Sequence, residues 1–418
     1  MAPRGPEGLV LQRDGDRGQT LLSGGLRFGT DDLGYLRSRA GTAALEAVAQ
    51  LELTDATLVA DVAAARAEFG DRAAVLVETV LLRRRALEKL GELGVSDWLF
   101  TDEALQQATA APVALHRAGR LAGDGGVVVH DATCSIGTEL AALSACGIAA
   151  LGSDIDPVRL AMARHNVGES AWICRADALR PVTRDAVLVA DPARRVEGRR
   201  RLRIDDYRPG LGSLLDAYRG REFVVKCAPG IDFDEVRRLG FDGEIEVTSY
   251  RGSVREACLW SAGLARPGVR RRASLLDRGE QLTDDDPDDC PVAPVGRWIV
   301  DPDGAVVRAG LVRHYGARHG LWQLDPDIAY LSGDRLPAAD RGFEVLEQLV
   351  FDERRLRQAL SALDCGSLEI LVRGVRVDPD ALRKRMRLRG RRSLSVVIAR
   401  IGARSAGRAM AFVCQPSR

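Results

Sequence analysis

Residues 127–160 read VVVHDATCSIGTELAALSACGIAALGSDIDPVRL and residues 186–195 read AVLVADPARR; together they decide the fold. Three apolar runs, 127–129, 148–152 and 186–189, each lead into a carboxylate: Asp131, Asp154 and Asp191. After the first, Leu140, Leu143 and Ser144 recur at helical spacing on an alanine-rich face. Strands that alternate with helices and end in polar residues predict an open parallel α/β sheet. Such sheets bind ligands beyond the carboxyl ends of their strands, where strand order reverses. Asp131 and Asp154 are 23 residues apart. That separation suits a nucleoside: a backbone turn cradles it, and an acid at the tip of the next strand accepts hydrogen bonds from its ribose diol.

The turn itself narrows the choice. Asp131-Ala-Thr-Cys-Ser-Ile-Gly137 holds a single glycine, whereas a dinucleotide pyrophosphate asks for G-x-G-x-x-G so that backbone can approach it. A ligand without phosphate fits better than NAD. The pattern resembles the class I S-adenosylmethionine-dependent methyltransferases, whose first motif looks like D-x-G-C-G-x-G-G. Thr133, Ser135 and Thr138 stand here at positions where glycines are usual. Asp154-Ile-Asp156-Pro157 resembles the ribose acid and the helix start behind it, and Ala176-Asp177-Ala178 the acid that contacts the adenine amine. Asp191-Pro192-Ala193-Arg194 is similar to the D-P-P-x motif of nucleic-acid amino-methyltransferases, with Ala193 for the second proline and Arg194 for an aromatic. The resemblance implies cofactor contacts from Asp131, Thr133, Ser135, Gly137, Asp154 and Asp177, and catalytic roles for Asp191, Pro192 and Arg194. Asp156 reads more simply as a helix N-cap ahead of Pro157. Capping accounts less well for Asp131, Asp154 and Asp177, because strand-tip acids on one edge repel unless a ligand uses them.

Motifs farther along sharpen the family. Segments 293–298 (APVGRW), 309–313 (AGLVR), 324–332 (LDPDIAYLS) and 368–383 (LEILVRGVRVDPDALR) resemble actinobacterial class I methyltransferases with a C-terminal THUMP-like domain. The likeness spans residues 33–402 and implies S-adenosylmethionine as cofactor and RNA, tRNA or rRNA, as partner and substrate. The expected architecture is α/β, a Rossmann-like methyltransferase core with an N-terminal helical domain and a small C-terminal α+β, THUMP-like domain. Its parts are a partly disordered N-terminus over 1–32, helices over 33–120, the methyltransferase domain over 121–265 and a basic THUMP-like region over 290–418.

Composition fits a chain of this kind. With 418 residues, 46% hydrophobic and 28% charged, it is too long for one core and has the balance of a globular protein. No stretch approaches 18 uninterrupted apolar residues, and no apolar signal core follows the first charges, so a cytoplasmic protein without membrane contact is expected. The eight cysteines form no C-x-x-C pair, and His314 and His319 miss the i, i+4 spacing of a helical ligand pair. No metal site and no disulfide framework is therefore expected.

The net charge of +1 hides local excess. From residue 331 onward there are 18 Arg and Lys against ten Asp and Glu, and Arg194, Arg195, Arg199, Arg200, Arg201 and Arg203 crowd the stretch behind Asp191. Clustered arginine is the footprint of phosphate binding, although an arginine-biased, GC-rich genome would also yield solvated basic faces. Lysine occurs only at 89, 226 and 384. Lys226 ends the strand that starts at Phe223, on the same sheet edge as the acids, and is read with Arg195 and Arg199 as substrate-binding.

Elsewhere the pattern predicts a linking helix within 100–109, a hairpin from 244–250 and 256–261, and an exposed connector through 266–272 and 284–289. A second hairpin is expected around Asp303-Gly304, from strands 297–300 and 305–308. The tail reads as helix 343–363, strand 367–372, helix 379–386 and strand 395–401. Methylation of a base nitrogen is the favoured chemistry, with Asp191 accepting the N–H groups. Two alternatives are an RNA carbon methyltransferase using Cys227 as nucleophile, and a cofactor- or RNA-binding protein that keeps the fold without catalysis.

Overall fold

The computed structural model describes residues 11–13, 20–22, 26–123, 126–194, 204–338, 340–402 and 407–417. Most of the segment 1–32, and with it the expected disorder, lies outside these residues, as do Arg195, Arg199 and the arginines through 203. Two compact units divide the chain: 1–227 with 234–241, and 228–233 with 242–418.

In the first unit, helices α1 (Thr30–Leu36), α2 (Arg39–Ala49), α3 (Leu58–Phe69), α4 (Ala73–Leu90), α5 (Asp102–Gln107) and α6 (Ala111–Ala122) precede the sheet. They bury Leu33, Leu45, Leu76, Leu82 and Leu90 in a core that also takes in Ile136 and Met162 from the sheet region. Strands β1 (Val128–Asp131), β2 (Ala149–Asp154), β3 (Ala171–Arg175), β4 (Val187–Ala190) and β5 (Phe223–Cys227) follow. They lie side by side as β5-β4-β1-β2-β3, and every neighbouring pair is parallel. The chain steps outward from β1 to β3, then returns to the other side of β1 for β4. The reversal point therefore falls between the carboxyl ends of β1 and β4, where Asp131 and Asp191 stand.

Helices α7 (Thr138–Ala145) and α8 (Pro157–Val167) follow β1 and β2. Two glycines make the junctions possible. Gly137 takes a left-handed φ of 92° just before α7, and a Cβ there would sit 2.7 Å from Val167 Cγ1. A Cβ on Gly152 would meet Leu140 Cδ1 at 2.5 Å, so only glycine lets α7 and the turn lie against β2. Asp156 caps α8 as expected, accepting the N–H groups of Val158 and Arg159 at 2.8 and 3.1 Å, and Pro157 occupies the first turn.

In the second unit, β6 (Glu244–Tyr250), β7 (Ser253–Trp260), β8 (Arg271–Leu275) and β9 (Glu280–Thr283) lie in the order β9-β8-β6-β7. The expected hairpin is β6–β7. The expected connector is corrected: part of 266–272 enters β8, where Arg272 is buried and holds Glu244 at 2.7 Å. Asp284 is likewise engaged, accepting the N–H groups of Arg270 and Arg271 at 2.9 and 3.1 Å.

A seven-stranded sheet completes this unit. Its strands are β10 (Trp298–Asp301), β11 (Trp322–Gln323), β12 (Leu331–Gly333), β13 (Arg341–Val350), β14 (Cys365–Arg373), β15 (Arg392–Ile401) and β16 (Arg408–Pro416), ordered β11-β12-β10-β13-β16-β15-β14. Between β10 and β11 the chain forms Gly304–Ala309 and Val312–His319, both helical. The predicted strand 305–308 is thus a helix, because Asp303 caps it by accepting Ala305 N–H at 2.7 Å and does not turn a hairpin. Nor is 343–363 one helix. Arg341–Val350 pairs as a strand with the last strand of the chain, Asp352 caps by accepting Arg355 N–H at 2.9 Å, and only Glu353–Ala362 is helical. That helix and Pro379–Met386, found at its expected bounds, bury Leu356, Leu360, Leu382 and Met386 on the sheet.

Candidate active site

The turn after β1 folds over the tip of β2. Asp131 ends β1 with its carboxyl buried, and Oδ1 accepts Thr133 N–H at 3.1 Å. Cys134 N–H donates to Ser153 O at 3.0 Å, and Gly137 N–H to Cys134 O at 2.8 Å. Ser135 adopts a left-handed φ of 48°, which delivers its N–H to Asp154 Oδ2 at 3.0 Å. Asp154 Oδ1 accepts the N–H of Asp156 at 2.9 Å. Each oxygen of this half-buried carboxylate thus keeps lone-pair capacity beyond one backbone donor. Its chemistry suits a vicinal diol.

Electrostatics set the protonation of the neighbours. Burial, followed by the charge of Glu139, pushes Asp131 up to about 8, against the pull of the Thr133 N–H and Lys226. Glu139 itself forms a buried fork with Arg117 of α6, Nε to Oε1 and Nη2 to Oε2, both at 2.7 Å. Behind β1, burial and then Arg221 lower His130 to about 4. The neutral ring lies 2.9 Å from Ser153 Oγ and 3.3 Å from Thr183 Oγ1. Burial raises the Cys134 thiol well above its ordinary range, so it fills space under the turn as a neutral group.

Asp191 follows β4 and is held from two sides. Its N–H donates to Thr133 Oγ1 at 2.6 Å. Its Oδ2 accepts from Lys226 Nζ at 2.5 Å, and the same ammonium donates to Thr109 Oγ1 at 2.5 Å. Lys226 is 10% exposed and Asp191 47%. Pro192 beside it is buried. Asp177 is exposed in a turn, where it accepts Leu179 N–H at 2.9 Å. Arg194 contributes backbone to a short strand pair with Tyr207, while Arg195 and Arg199 lie outside the described residues. Cys227 is buried, with Sγ 3.9 Å from Val225 O.

The structure therefore joins Asp131, Thr133, Asp191 and Lys226 in one run of hydrogen bonds, and Ser135 with Asp154 in a second. Thr109, Arg117 and Asn166 went unnoticed in the sequence. Asn166 accepts Leu99 N–H at 2.8 Å and donates to Leu99 O at 3.0 Å and Ile136 O at 2.9 Å, tying the segment before α5 to the turn. Only Thr109 left a trace, as the last residue of the stretch read as a linking helix. Among the described residues no group of three or more His, Cys, Asp or Glu is placed to hold a metal, and no helix is long and apolar enough to cross a membrane.

A parallel sheet that reverses strand order between β1 and β4, with the turn after β1 resting on the acid at the tip of β2, has the arrangement of a Rossmann-like fold. Comparison with known proteins agrees. The chain is 76% identical over 360 residues to proteins of Mycobacterium tuberculosis strains CDC 1551 / Oshkosh and ATCC 25618 / H37Rv, both described as uncharacterized S-adenosylmethionine-dependent methyltransferases. The match covers 84% of this chain and the whole of each relative. The chain belongs to this family of S-adenosylmethionine-dependent methyltransferases. Residues 340–416 match the family described as THUMP domain-like. A crystal structure of a Porphyromonas gingivalis W83 protein assigned as a methyltransferase shares the fold, with a TM-score of 0.70 at 17% identity, covering 94% of this chain and all of the other. S-adenosylmethionine is the cofactor and methyl transfer the reaction.

Proposed function

We propose that the protein methylates a base nitrogen in RNA, tRNA or rRNA. The observation that carries this reading is the Asp191 carboxylate, half exposed at the reversal point and hydrogen-bonded through its backbone to the cofactor turn. The cofactor supplies a methyl group on a sulfonium, already a strong electrophile. The chain's task is then to align a nucleophile and keep water out. In this reading Asp154 takes the ribose hydroxyls, the turn from Thr133 to Gly137 follows the amino-acid moiety, and Asp177 faces the adenine amine. Asp191 accepts an N–H of an exocyclic amine and leaves its lone pair directed at the methyl. With S-adenosylmethionine bound, the amine would take its methyl group and the sulfur would keep the bonding pair, while Asp191 would hold the amine's N–H and accept the proton that is released.

The THUMP domain-like match and the basic run behind Asp191 support RNA as the substrate class. A feature of the C-terminal sheet adds to them. A cavity of about 670 Å³ is lined by Arg357, Arg387 and Arg389 together with Gln358, Ser361 and Cys365. The three arginines are exposed and form no ion pair among the described residues, so their forks are open to phosphate. The test is transfer of tritium from labelled S-adenosylmethionine to total RNA of a strain lacking the gene, with nucleosides then resolved by mass spectrometry. A methylated base that appears only with the enzyme supports the reading. Label entering protein or small molecules but never RNA overturns it.

A further inference from the structure

One of the residues that depart from the family's glycine pattern touches the proposed acceptor site. Thr133 stands where the motif has a glycine, and its hydroxyl accepts the Asp191 N–H at 2.6 Å while its own N–H is held by Asp131. A glycine offers no such acceptor. From the other side, Lys226 reaches from the end of β5 to Asp191 Oδ2, and Thr109 Oγ1 braces the ammonium from the loop before α6. Oδ1 of Asp191 takes no hydrogen bond among the described residues.

We infer that Thr133 and Lys226, braced by Thr109, are positioning residues for Asp191. The threonine latches its backbone to the cofactor turn, and the lysine occupies one carboxylate oxygen so that only the other meets the acceptor. This rests on the reading of Asp191 as the group that holds the acceptor. It also gives Lys226 a role other than phosphate contact. An exposed aspartate on a short loop samples several rotamers, and each misplaced rotamer costs alignment at the transferred methyl. A misplacement of about 1 Å can cost on the order of 100-fold in rate. Two strong anchors remove that freedom, and one of them is charge-assisted. The ordinary objection to threonine in this turn, its stiff β-branched side chain, becomes the reason for its presence.

The test separates the latch from mere packing. Thr133→Val keeps the shape and removes the acceptor, Thr133→Ser keeps the acceptor, and Lys226→Met keeps the stem and removes the charge. With the RNA fraction labelled by the wild type, Thr133→Val and Lys226→Met should each lower kcat by about 10–100-fold. Lys226→Met should leave S-adenosylmethionine affinity, read by calorimetry, within about threefold of wild type, and Thr133→Ser should recover most of the kcat lost in Thr133→Val. A second readout needs no substrate. The chain has only three lysines, so reductive methylation can be followed residue by residue by mass spectrometry. Lys226 should label slowest, and Asp191→Asn should speed it several-fold while Lys89 and Lys384 stay unchanged. Unaltered kcat in Thr133→Val, equal losses in the serine and valine variants, or Lys226 labelling indifferent to Asp191→Asn would overturn the inference. If wild type labels no RNA but Lys226 still responds to Asp191→Asn, the RNA reading falls and the ion pair stands.

Discussion

Replacing Asp154 by alanine removes a carboxylate with two separable duties. In the folded chain it accepts one N–H from Ser135 and one from Asp156. Losing a partner of this kind costs roughly 1 kcal/mol for each donor where water can partly replace it, hence about 2 kcal/mol in all. For a unit of 150–250 residues each kcal/mol moves Tm by about 2–4 °C, so Asp154→Ala should melt about 4–8 °C lower. The second duty shows only with ligand present. Two ribose hydroxyls that lose a charged acceptor should weaken S-adenosylmethionine binding by about 1–3 kcal/mol, roughly 5–150-fold. Asp154→Asn, which keeps one oxygen, should fall between wild type and alanine in both measurements. Differential scanning calorimetry gives the first number and isothermal titration the second. A lower Tm with unchanged affinity would reduce Asp154 to a brace for the turn and refute its place in the cofactor site.

Five further outcomes are expected. Asp191→Ala should lose methyl transfer while retaining cofactor affinity, and Cys227→Ser should stay within a small factor of wild type; abolished activity in a folded Cys227→Ser would revive a covalent mechanism. Asp131, pushed up to about 8 from an ordinary 3.8, holds a proton in the folded chain that the unfolded chain releases. Its contribution to stability is complete below about pH 4 and is lost as pH rises through about 8. Asp131→Asn carries no such proton, so its Tm relative to wild type should climb between about pH 4 and 8, and a flat difference would contradict the shift. Glu139→Gln removes one charge of the buried fork with Arg117 and should cost about 3–5 kcal/mol in a denaturant titration, part of it recovered when Arg117→Met is added. Exchanging Arg357, Arg387 and Arg389 together for glutamine should flatten the log–log salt dependence of RNA binding by about two units; an unchanged slope would leave that cavity without a role in binding.

The parallel sheet was legible because β1, β2 and β4 are short, apolar and each run into a carboxylate. Asp156 was equally legible, since Asp followed by Pro has one common use. What escaped depends on partners distant in sequence. Asp303-Gly304 carries the same two residues whether it turns a hairpin or caps a helix, and the choice follows from the burial of Ala305, Val306 and Ala309. In FEVLEQLVF, over 343–351, apolar residues fit a helical period as well as a strand's alternation. Pairing with Arg408–Pro416, a strand absent from the sequence reading, settled the matter. Thr133 looked like a weakness in a glycine motif because its benefit lies 58 residues away, at Asp191. Thr109 and Lys226 are 117 residues apart, and neither carries a local signature of the other.

The carboxamide of Asn166 has a consequence for how the chain comes apart. It satisfies both main-chain groups of Leu99 and, with the same nitrogen, the carbonyl of Ile136 in the turn after β1. Leu99 is thereby stitched down as an added strand would be, by a side chain in place of a ladder. Opening the segment before α5 strands polar groups in the turn, and opening the turn strands them in the segment. The two should unfold as one cooperative block, and ligand that tightens the turn should slow amide exchange at Leu99, on the far side of the stitch.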